Sequence, residues 1–225
     1  MNVRNGTRWI GIGLVLVVCA SFAPTLSNDF VNWDDDLVLT NNTAYRGLSW
    51  SHLRWMATTT HAGHWQPLTW LSYALDHAVW GMDPRGYHLT NLVLHAVNAV
   101  LVWLVLRALL AGRGRGGVVA AAAAAGALSF AIHPLRVESV AWATERRDVL
   151  SGCFWLLALF AYVRAVGRAE RPRLGAAVAA LGLSLAAKAW GMTFPLVLLV
   201  LDAWPLGRFR RNPRAALREK IPFAV

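Results

Sequence analysis

Long blocks of apolar residues predict helices that cross a membrane. Once their flanks are included, six stretches reach the length of about 20 residues that a bilayer requires. Their approximate bounds are 9–26, 87–110, 116–135, 149–167, 171–190 and 190–207. The blocks are apolar on all sides, unlike the one-sided stripes of helices on a soluble core. We therefore predict an all-α polytopic membrane protein with about six transmembrane helices.

The longest segment outside these spans, residues 27–86, has a different pattern. It holds six of the twelve tryptophans, a residue that prefers the membrane–water interface: Trp33, Trp50, Trp55, Trp65, Trp70 and Trp80. Ser49 can cap one short helix, and Pro67 can open a second. The second helix would carry one apolar face formed by Leu68, Leu71, Leu75 and Val79. We expect two interfacial helices that frame a groove against the bundle, with a short re-entrant segment as the alternative for 67–80.

Composition and charge agree with a membrane protein and orient it. The chain is 56% hydrophobic and 15% charged, which is too apolar for a soluble domain of this size. Fifteen of its 22 basic residues fall at the chain ends and in alternate loops, accompanied there by Glu170 and Glu219 alone. The fifteen are Arg4, Arg8, Arg107, Arg113, Arg115, Arg164, Arg168, Arg171, Arg173, Arg208, Arg210, Arg211, Arg214, Arg218 and Lys220.

The opposite side holds seven basic residues and nine acids. Basic residues concentrate in cytoplasmic loops, so this distribution predicts that both chain ends are cytoplasmic and that 27–86 faces outward. A net charge of +10 would suggest nucleic acid in a soluble protein. Confined to membrane-flanking loops, it predicts no nucleic-acid partner.

A run of three acids, Asp34, Asp35 and Asp36, follows the first span on the outer side. Carboxylates near hydrocarbon are costly and are often functional. They could supply a general base or ligate a metal ion. A solvated acidic loop is an equally good interpretation of the three acids alone.

A second group of charges lies between the third and fourth spans: His133, Glu138, Glu145, Arg146, Arg147 and Asp148. The two arginines could bind a phosphate, because a guanidinium presents a planar pair of donors. Lys188, at the outer end of the fifth span, could neutralise an anion or extend its ammonium group to the interface. An interfacial salt-bridge cluster is the structural alternative.

The second span carries a polar stripe of His88, Asn91, His95 and Asn98. Intervals of three and four residues place these side chains on one helical face. Hydrogen bonding between helices is favoured over contact with a substrate.

These groups place carboxylates, arginines and a lysine on the outer face beside an aromatic groove. Such a set could receive a lipid-anchored phosphate and activate an acceptor hydroxyl. It does not by itself indicate sugar chemistry.

Several motifs resemble one family. They are 30–35 (FVNWDD), 64–73 (HWQPLTWLSY), 86–92 (GYHLTNL), 133–142 (HPLRVESVAW), 145–151 (ERRDVLS), 187–188 (AK) and 199–206 (LVLDAWPL). The set resembles the membrane half of bacterial tetratricopeptide-repeat glycosyltransferases. These are related to the animal transmembrane O-mannosyltransferases that target cadherins, within the C-type (GT-C) superfamily.

The resemblance implies a GT-C-like bundle in a multi-pass protein of the bacterial inner membrane. The implied reaction is inverting transfer of a sugar, with mannose as the candidate, from a polyprenyl-phosphate donor to a hydroxyl of a protein or glycan acceptor at the outer face. Membrane lipid is the remaining expected partner. The family's later spans and C-terminal repeats are expected beyond this chain, and a non-catalytic membrane anchor for such repeats is the alternative function.

The same resemblance implies roles for individual residues. Asp34 or Asp35 would be the catalytic base, and Arg146 and Lys188 would bind the donor phosphate. The residues expected to line the site are His133, Glu138, Asp148, Trp65 and His88. No cofactor is certain, although the carboxylates could hold a divalent metal.

Overall fold

The computed structural model describes residues 3–167 and 174–224, with side chains from Arg8 onward. The structure is 79% helical, and no strand occurs in these two ranges, which confirms the all-α prediction. Part of the basic loop predicted between the fourth and fifth spans lies outside the described residues: Arg168, Glu170, Arg171 and Arg173. The same holds for the side chain of Arg4.

The helices follow the apolar blocks of the sequence. In chain order they are α1 (Val3–Phe22), α2 (Trp50–Thr58), α3 (Pro67–Trp80), α4 (Pro84–Leu110), α5 (Gly116–Ala131), α6 (Arg136–Ala141), α7 (Arg146–Val166), α8 (Gly175–Ala187), α9 (Phe194–Ala203), α10 (Arg208–Arg211) and α11 (Pro213–Arg218).

Three helical segments are long and apolar enough to cross a membrane: Arg8–Ser27, Pro84–Leu110 and Ala143–Val166. They correspond to the first, second and fourth predicted spans. The other three predicted spans correspond to shorter apolar helices, at Gly116–Ala131, Gly175–Ala187 and Ala189–Ala203. The structure therefore supports a membrane protein and gives three segments the length of a full span.

The observed helix starts differ from the predicted ones for local reasons. Helix α4 begins at Pro84, three residues earlier than expected, because the Asp83 side chain accepts a hydrogen bond from the Arg85 amide at 3.0 Å. Such a cap satisfies one of the free amides of the first turn, and proline suits the first helical position. The fourth span also begins earlier, at Ala143 instead of 149, so residues 145–148 lie within its first turns.

Helix α4 is the centre of the bundle and contacts α1, α5 and α7, while α8 packs against α7. The largest apolar core joins α4, α7, α8 and α9 through buried residues that include Val105, Leu159, Leu181 and Phe194. Smaller cores join α1 to α4 and to α5. The largest core thus lies at the ends of α4 and α7, whereas the starts of these helices are packed by the smaller core that contains Leu92 and Val149.

The segment between α1 and α4 forms an outer unit, which packs around a core that it shares with the starts of α4 and of the Ala143–Val166 segment. Helices α2 and α3 confirm the two helices predicted there, and their core consists of Val38, Leu39, Tyr45, Met56, Trp70, Tyr73, Ala74, Tyr87 and Ala143. Two details differ from expectation. Ser49 makes no cap bond and instead contacts the side chains of Ser51 and His52. On α3, Leu75 and Val79 point away from the protein, so the predicted apolar face is a candidate lipid contact.

Hydrogen bonds fix this outer unit onto the bundle. The Tyr73 hydroxyl donates to the carbonyl oxygens of Ala143 and Thr144, at 3.2 and 2.9 Å. The Thr69 hydroxyl donates to the Ala187 carbonyl at 3.0 Å. Burial raises the pKa of Tyr73 far above its usual value, so the hydroxyl stays a neutral donor at physiological pH.

Candidate functional site

A cluster of opposite charges lies where α7 begins and α8 ends. Lys188 follows the last residue of α8, and its ammonium group contacts a carboxylate oxygen of Asp148 and lies 3.3 Å from Glu145 Oε2. The other oxygen, Glu145 Oε1, accepts from Arg147 Nε at 3.0 Å. Carboxylates are favoured at this position because the N-terminus of α7 carries a partial positive charge.

Two cavities share Lys188 as a wall. Cavity A has a volume of about 280 Å³ and is lined by Arg136, Asp148, Ser151, Gly152, Trp155, Lys188, Trp190 and Thr193. Cavity B, of about 360 Å³, is lined by Gly63, His64, Trp65, Gln66, Arg147, Leu185, Lys188, Ala189 and Met192. Cavity A lies among bundle residues, whereas cavity B is bounded on one side by the outer unit.

Cavity A adjoins a narrower space between α4, α5 and α7. This space, cavity C, measures about 190 Å³ and shares Arg136, Asp148, Gly152 and Trp155 with cavity A. Its remaining walls are mostly apolar or neutral: His95, Asn98, Phe130, Ser139, Val149 and Leu156. Cavities A and C thus share a charged boundary at Arg136 and Asp148, and the other walls of cavity C combine polar and apolar side chains.

The central aspartate of the triplet is enclosed by protein donors. Asp35 is 1% exposed. One of its oxygens accepts from the Val31 amide at 3.0 Å, and the other accepts from the Thr144 amide at 2.9 Å and from the Thr144 hydroxyl. Thr144 is the residue before Glu145. The hydrogen bonds from Thr144 to Asp35 therefore attach the aspartate triplet to the segment that carries the charged cluster of Glu145, Arg147, Asp148 and Lys188.

The two neighbouring aspartates are more accessible. Asp34 and Asp36 are both half-buried. Asp36 accepts from the adjacent Leu37 amide at 2.8 Å. Within the part of the chain that the structure describes, Asp34 makes no side-chain hydrogen bond or ion pair. Of the two base candidates, Asp34 is therefore the carboxylate that is not already occupied by donors of the described protein, and neither Asp34 nor Asp35 lines cavity A, B or C.

Arg146 lies inside the protein and not at a cavity. Its side chain is 0% exposed, and it forms an ion pair with Asp76 at 2.6 Å. It also donates to the Tyr87 carbonyl at 2.8 Å and to the side chain of Asn91, with its guanidinium over the ring of Tyr73. A guanidinium so enclosed has no free face for a phosphate. The geometry gives Arg146 a structural position, and the cations that face the cavities are Arg136, Arg147 and Lys188.

The other predicted site residues divide into two groups. Asp148 lines cavities A and C, and Trp65 lines cavity B, where its indole nitrogen donates to the Ala57 carbonyl at 2.8 Å. His133 and Glu138 are exposed near the start of α6 and line none of the three cavities. His88 is 1% exposed and also lies away from the cavities.

The polar stripe of α4 mainly joins helices, as predicted. The Asn91 amide donates to the Trp142 carbonyl at 3.0 Å, and the Asn98 amide donates to the Val149 carbonyl at 2.8 Å. His95 Nε2 bonds the Ala131 carbonyl of α5 at 2.8 Å. His88 differs, since neither of its ring nitrogens has a hydrogen-bond partner within the described residues.

Sequence reasoning assigned no role to Arg136 and Glu145 of the site, or to Asp76, which pairs with Arg146. Arg136 stands between Leu135 and Val137, and nothing in the pattern shows that it lines the same cavities as Asp148. Asp76 could have been recognised, because it is the only carboxylate of the α3 sequence, among apolar and neutral residues. An isolated acid in such a setting usually has a partner.

The sequence left open a divalent metal held by carboxylates, which would require several ligand side chains close together. Within the described residues, no three His, Cys, Asp or Glu side chains come close enough together to hold a metal ion. Glu145 and Asp148 instead share the ammonium group of Lys188.

The sequence of the chain is similar to those of several known proteins. The chain is 36% identical to protein O-mannosyl-transferase TMTC2 of Mus musculus over 152 residues, which are 64% of the chain and 17% of that protein. It is 33% identical to TMTC2 of Homo sapiens over 204 residues, or 85% of the chain and 23% of that protein. With Tmtc1 of Drosophila melanogaster the identity is 47% over 102 residues, or 45% of the chain and 11% of that protein.

The chain is related to the TMTC protein O-mannosyl-transferases. It spans about a fifth of the length of the TMTC2 proteins that it matches. No protein-family model matches the chain, and no solved structure matches it.

Proposed function

We propose that this chain is the catalytic membrane portion of a protein O-mannosyl-transferase with a GT-C-like bundle of about six spans, in the bacterial inner membrane. Mannose would pass from a polyprenyl-phosphate donor to a hydroxyl of a protein acceptor at the outer face, with tetratricopeptide repeats elsewhere in the protein. The names of the relatives support the reaction type. The main structural support for the proposal is the position of Lys188, which lines cavities A and B and pairs with Glu145 and Asp148.

Cavity A is the better site for the donor. Arg136 and Lys188 can face a phosphate there, and Phe130, Val149, Trp155 and Leu156 of the adjoining cavity C offer apolar contacts to the start of a lipid chain. Around Lys188, three cations (Arg136, Arg147, Lys188) accompany two carboxylates (Glu145, Asp148). The excess of one positive charge favours an anionic ligand in a partly desolvated site.

Cavity B is the better site for the acceptor. Its walls include His64 and Trp65 of the outer unit, so it opens toward the side from which a protein hydroxyl would arrive. Trp65 is 52% exposed and presents a large flat surface to a sugar or peptide. Lys188, which belongs to both cavities, would stand near the bond that is broken.

In the proposed reaction Asp34 accepts the proton of the acceptor hydroxyl as its oxygen attacks the anomeric carbon. The bond from that carbon to the phosphate oxygen breaks, and polyprenyl phosphate leaves with the bonding electron pair. Lys188 and Arg136 stabilise the negative charge that grows on the phosphate, an interaction stronger in the transition state than in the ground state. Asp35 positions the motif through Thr144 without touching substrate.

Replacement of Lys188 tests this proposal. Lys188→Gln in the complete protein should lower kcat/KM for polyprenyl-phosphate mannose by about tenfold or more, because a charge-assisted contact to the phosphate that strengthens in the transition state is lost. Lys188→Arg should recover part of the loss. Arg54→Gln is the matched control, since Arg54 is an exposed cation on α2 outside both cavities.

Transfer of mannose to protein with unchanged kcat/KM in Lys188→Gln would remove Lys188 from the donor site. If the unaltered protein transferred no sugar while still assembling in the membrane, the alternative of a non-catalytic anchor would replace the proposal.

A further inference from the structure

A second basic cavity lies at the other end of the bundle. Cavity D has a volume of about 370 Å³ and lies between the last turns of α4 and α7. Its lining includes Arg107 and Arg164, with Leu104, Phe160, Val163 and Gly167. None of these residues belongs to the site around Lys188.

The distance along α7 places the two sites at opposite membrane interfaces. Arg146 and Arg164 are eighteen residues apart on one helix, which corresponds to about 27 Å at 1.5 Å per residue. The hydrocarbon core of a bilayer is about 30 Å thick. Cavity D therefore lies near the headgroups of the leaflet opposite the proposed catalytic site, at the membrane face that carries the excess of basic residues.

Stacking on aromatic rings holds both arginines at this cavity. The guanidinium carbon of Arg107 lies 4.8 Å from the centre of the Trp103 ring, and that of Arg164 lies 5.6 Å from the Phe160 ring. Among the described residues, no acidic side chain pairs with either guanidinium. Pre-positioned guanidiniums suit a phosphate, because each offers a planar pair of donors.

A structural explanation is that the arginines only balance the negative ends of the helix dipoles, since both lie near helix C-termini. That explanation accounts for the charge but not for an open space of this volume between the two side chains. Leu104, Phe160 and Val163 give the space apolar walls. Such walls suit the glycerol and upper acyl segments of a lipid better than a free phosphate ion.

We propose that cavity D binds the headgroup phosphate of an anionic phospholipid from the leaflet opposite the catalytic site, with Arg107 and Arg164 as its two ligands. Basic pockets between transmembrane helices on the cytoplasmic side are suited to anionic headgroups. A bound lipid would join the ends of α4 and α7, the two helices that position Asn91 and the charged cluster at the other face.

Stability in defined bilayers tests the site. The purified chain would be placed in nanodiscs of phosphatidylcholine alone and of phosphatidylcholine mixed with phosphatidylglycerol, and its thermal unfolding midpoint measured. Phosphatidylglycerol should raise the midpoint of the unaltered chain. The double variant Arg107→Gln and Arg164→Gln should lose most of that gain, and each single variant should weaken the lipid titration about fivefold.

The matched control is Arg211→Gln with Arg214→Gln, which removes the same charge from exposed positions on the same membrane face and should keep the gain. Inorganic phosphate added to phosphatidylcholine nanodiscs should not raise the unfolding midpoint as phosphatidylglycerol does. If the double glutamine variant does not fold, Arg107→Lys with Arg164→Lys should keep the charge and only part of the gain. The proposal is overturned if the unaltered chain shows no gain, if phosphate alone produces it, or if the cavity variants retain it in full.

Discussion

One residue of the acidic motif, Asp35, and one of the basic motif, Arg146, have structural roles, whereas residues next to them are candidates for contact with substrate. Asp35 is enclosed by three donors and Arg146 by acceptors. Asp34 makes no side-chain hydrogen bond within the described residues, and Arg147 lines cavity B. Adjacent residues point in different directions from a helical turn, so a motif of like charges can serve both purposes. The sequence could identify the motifs but not which member of each is enclosed by the protein.

Arg146 gives the sharpest test of a structural role. Arg146→Gln should destabilise the chain by about 3–5 kcal/mol, because it leaves the carboxylate of Asp76 buried without its partner. Thermal or denaturant unfolding of the purified chain in detergent would measure the loss. Arg147→Gln should cost less, because its partner Glu145 keeps a second cation, Lys188, at 3.3 Å.

Replacement of both partners, Arg146→Met with Asp76→Leu, should recover much of the stability because no unpaired charge remains. Equal destabilisation by Arg146→Gln and Arg147→Gln would contradict the assignment of Arg146 to the interior.

Among the elements, the helices were largely predictable from the sequence and their contacts were not. Blocks of apolar residues located α1, α4 and α7, and Pro67 located the start of α3. The stripe of Asn91, His95 and Asn98 correctly indicated hydrogen bonds between helices. The pairing of Asp76 with Arg146 spans 70 positions in the sequence, and no local pattern encodes such a distance.

The attachment of the outer unit to the bundle can be tested at Tyr73. Tyr73→Phe removes the donor that serves the Ala143 and Thr144 carbonyls and should cost about 1–2 kcal/mol. Hydrogen exchange should become faster at the amides of 143–145, which carry Thr144 and Glu145 of the site. Tyr45→Phe is the control, because the Tyr45 hydroxyl contacts Leu39 and Tyr87 and not the start of α7. Unchanged protection at 143–145 in Tyr73→Phe would show that this contact does not hold the site.

At the scale of the whole molecule, the charge distribution and the proposed site require one orientation. The side with nine acids carries the aspartate motif and Lys188, and the side with most of the basic residues carries cavity D. Sugar transfer at the outer face, as proposed, requires the first side to face outward.

Cysteine labelling in intact cells tests that orientation. In a background with Cys19→Ala and Cys153→Ala, Ser51→Cys on α2 should react with a membrane-impermeant maleimide. Arg211→Cys should react only after the membrane is permeabilised, because the excess of basic residues holds its side in the cytoplasm. The reverse pattern would place the aspartate motif in the cytoplasm and exclude an outer catalytic site.

The central claim is that Asp34 is the base of a sugar transfer at the outer face. The most direct test compares the rate of mannosyl transfer in three variants, each with one of the three consecutive aspartates replaced by asparagine. Asp34→Asn should reduce kcat by at least about 100-fold with unchanged stability, because it removes general-base catalysis alone. Asp36→Asn should keep the rate. Asp35→Asn should lose stability and rate together, because an asparagine amide cannot accept all three donors of the Asp35 site. An Asp34→Asn protein that assembles normally and transfers mannose at the unaltered rate would contradict the claim.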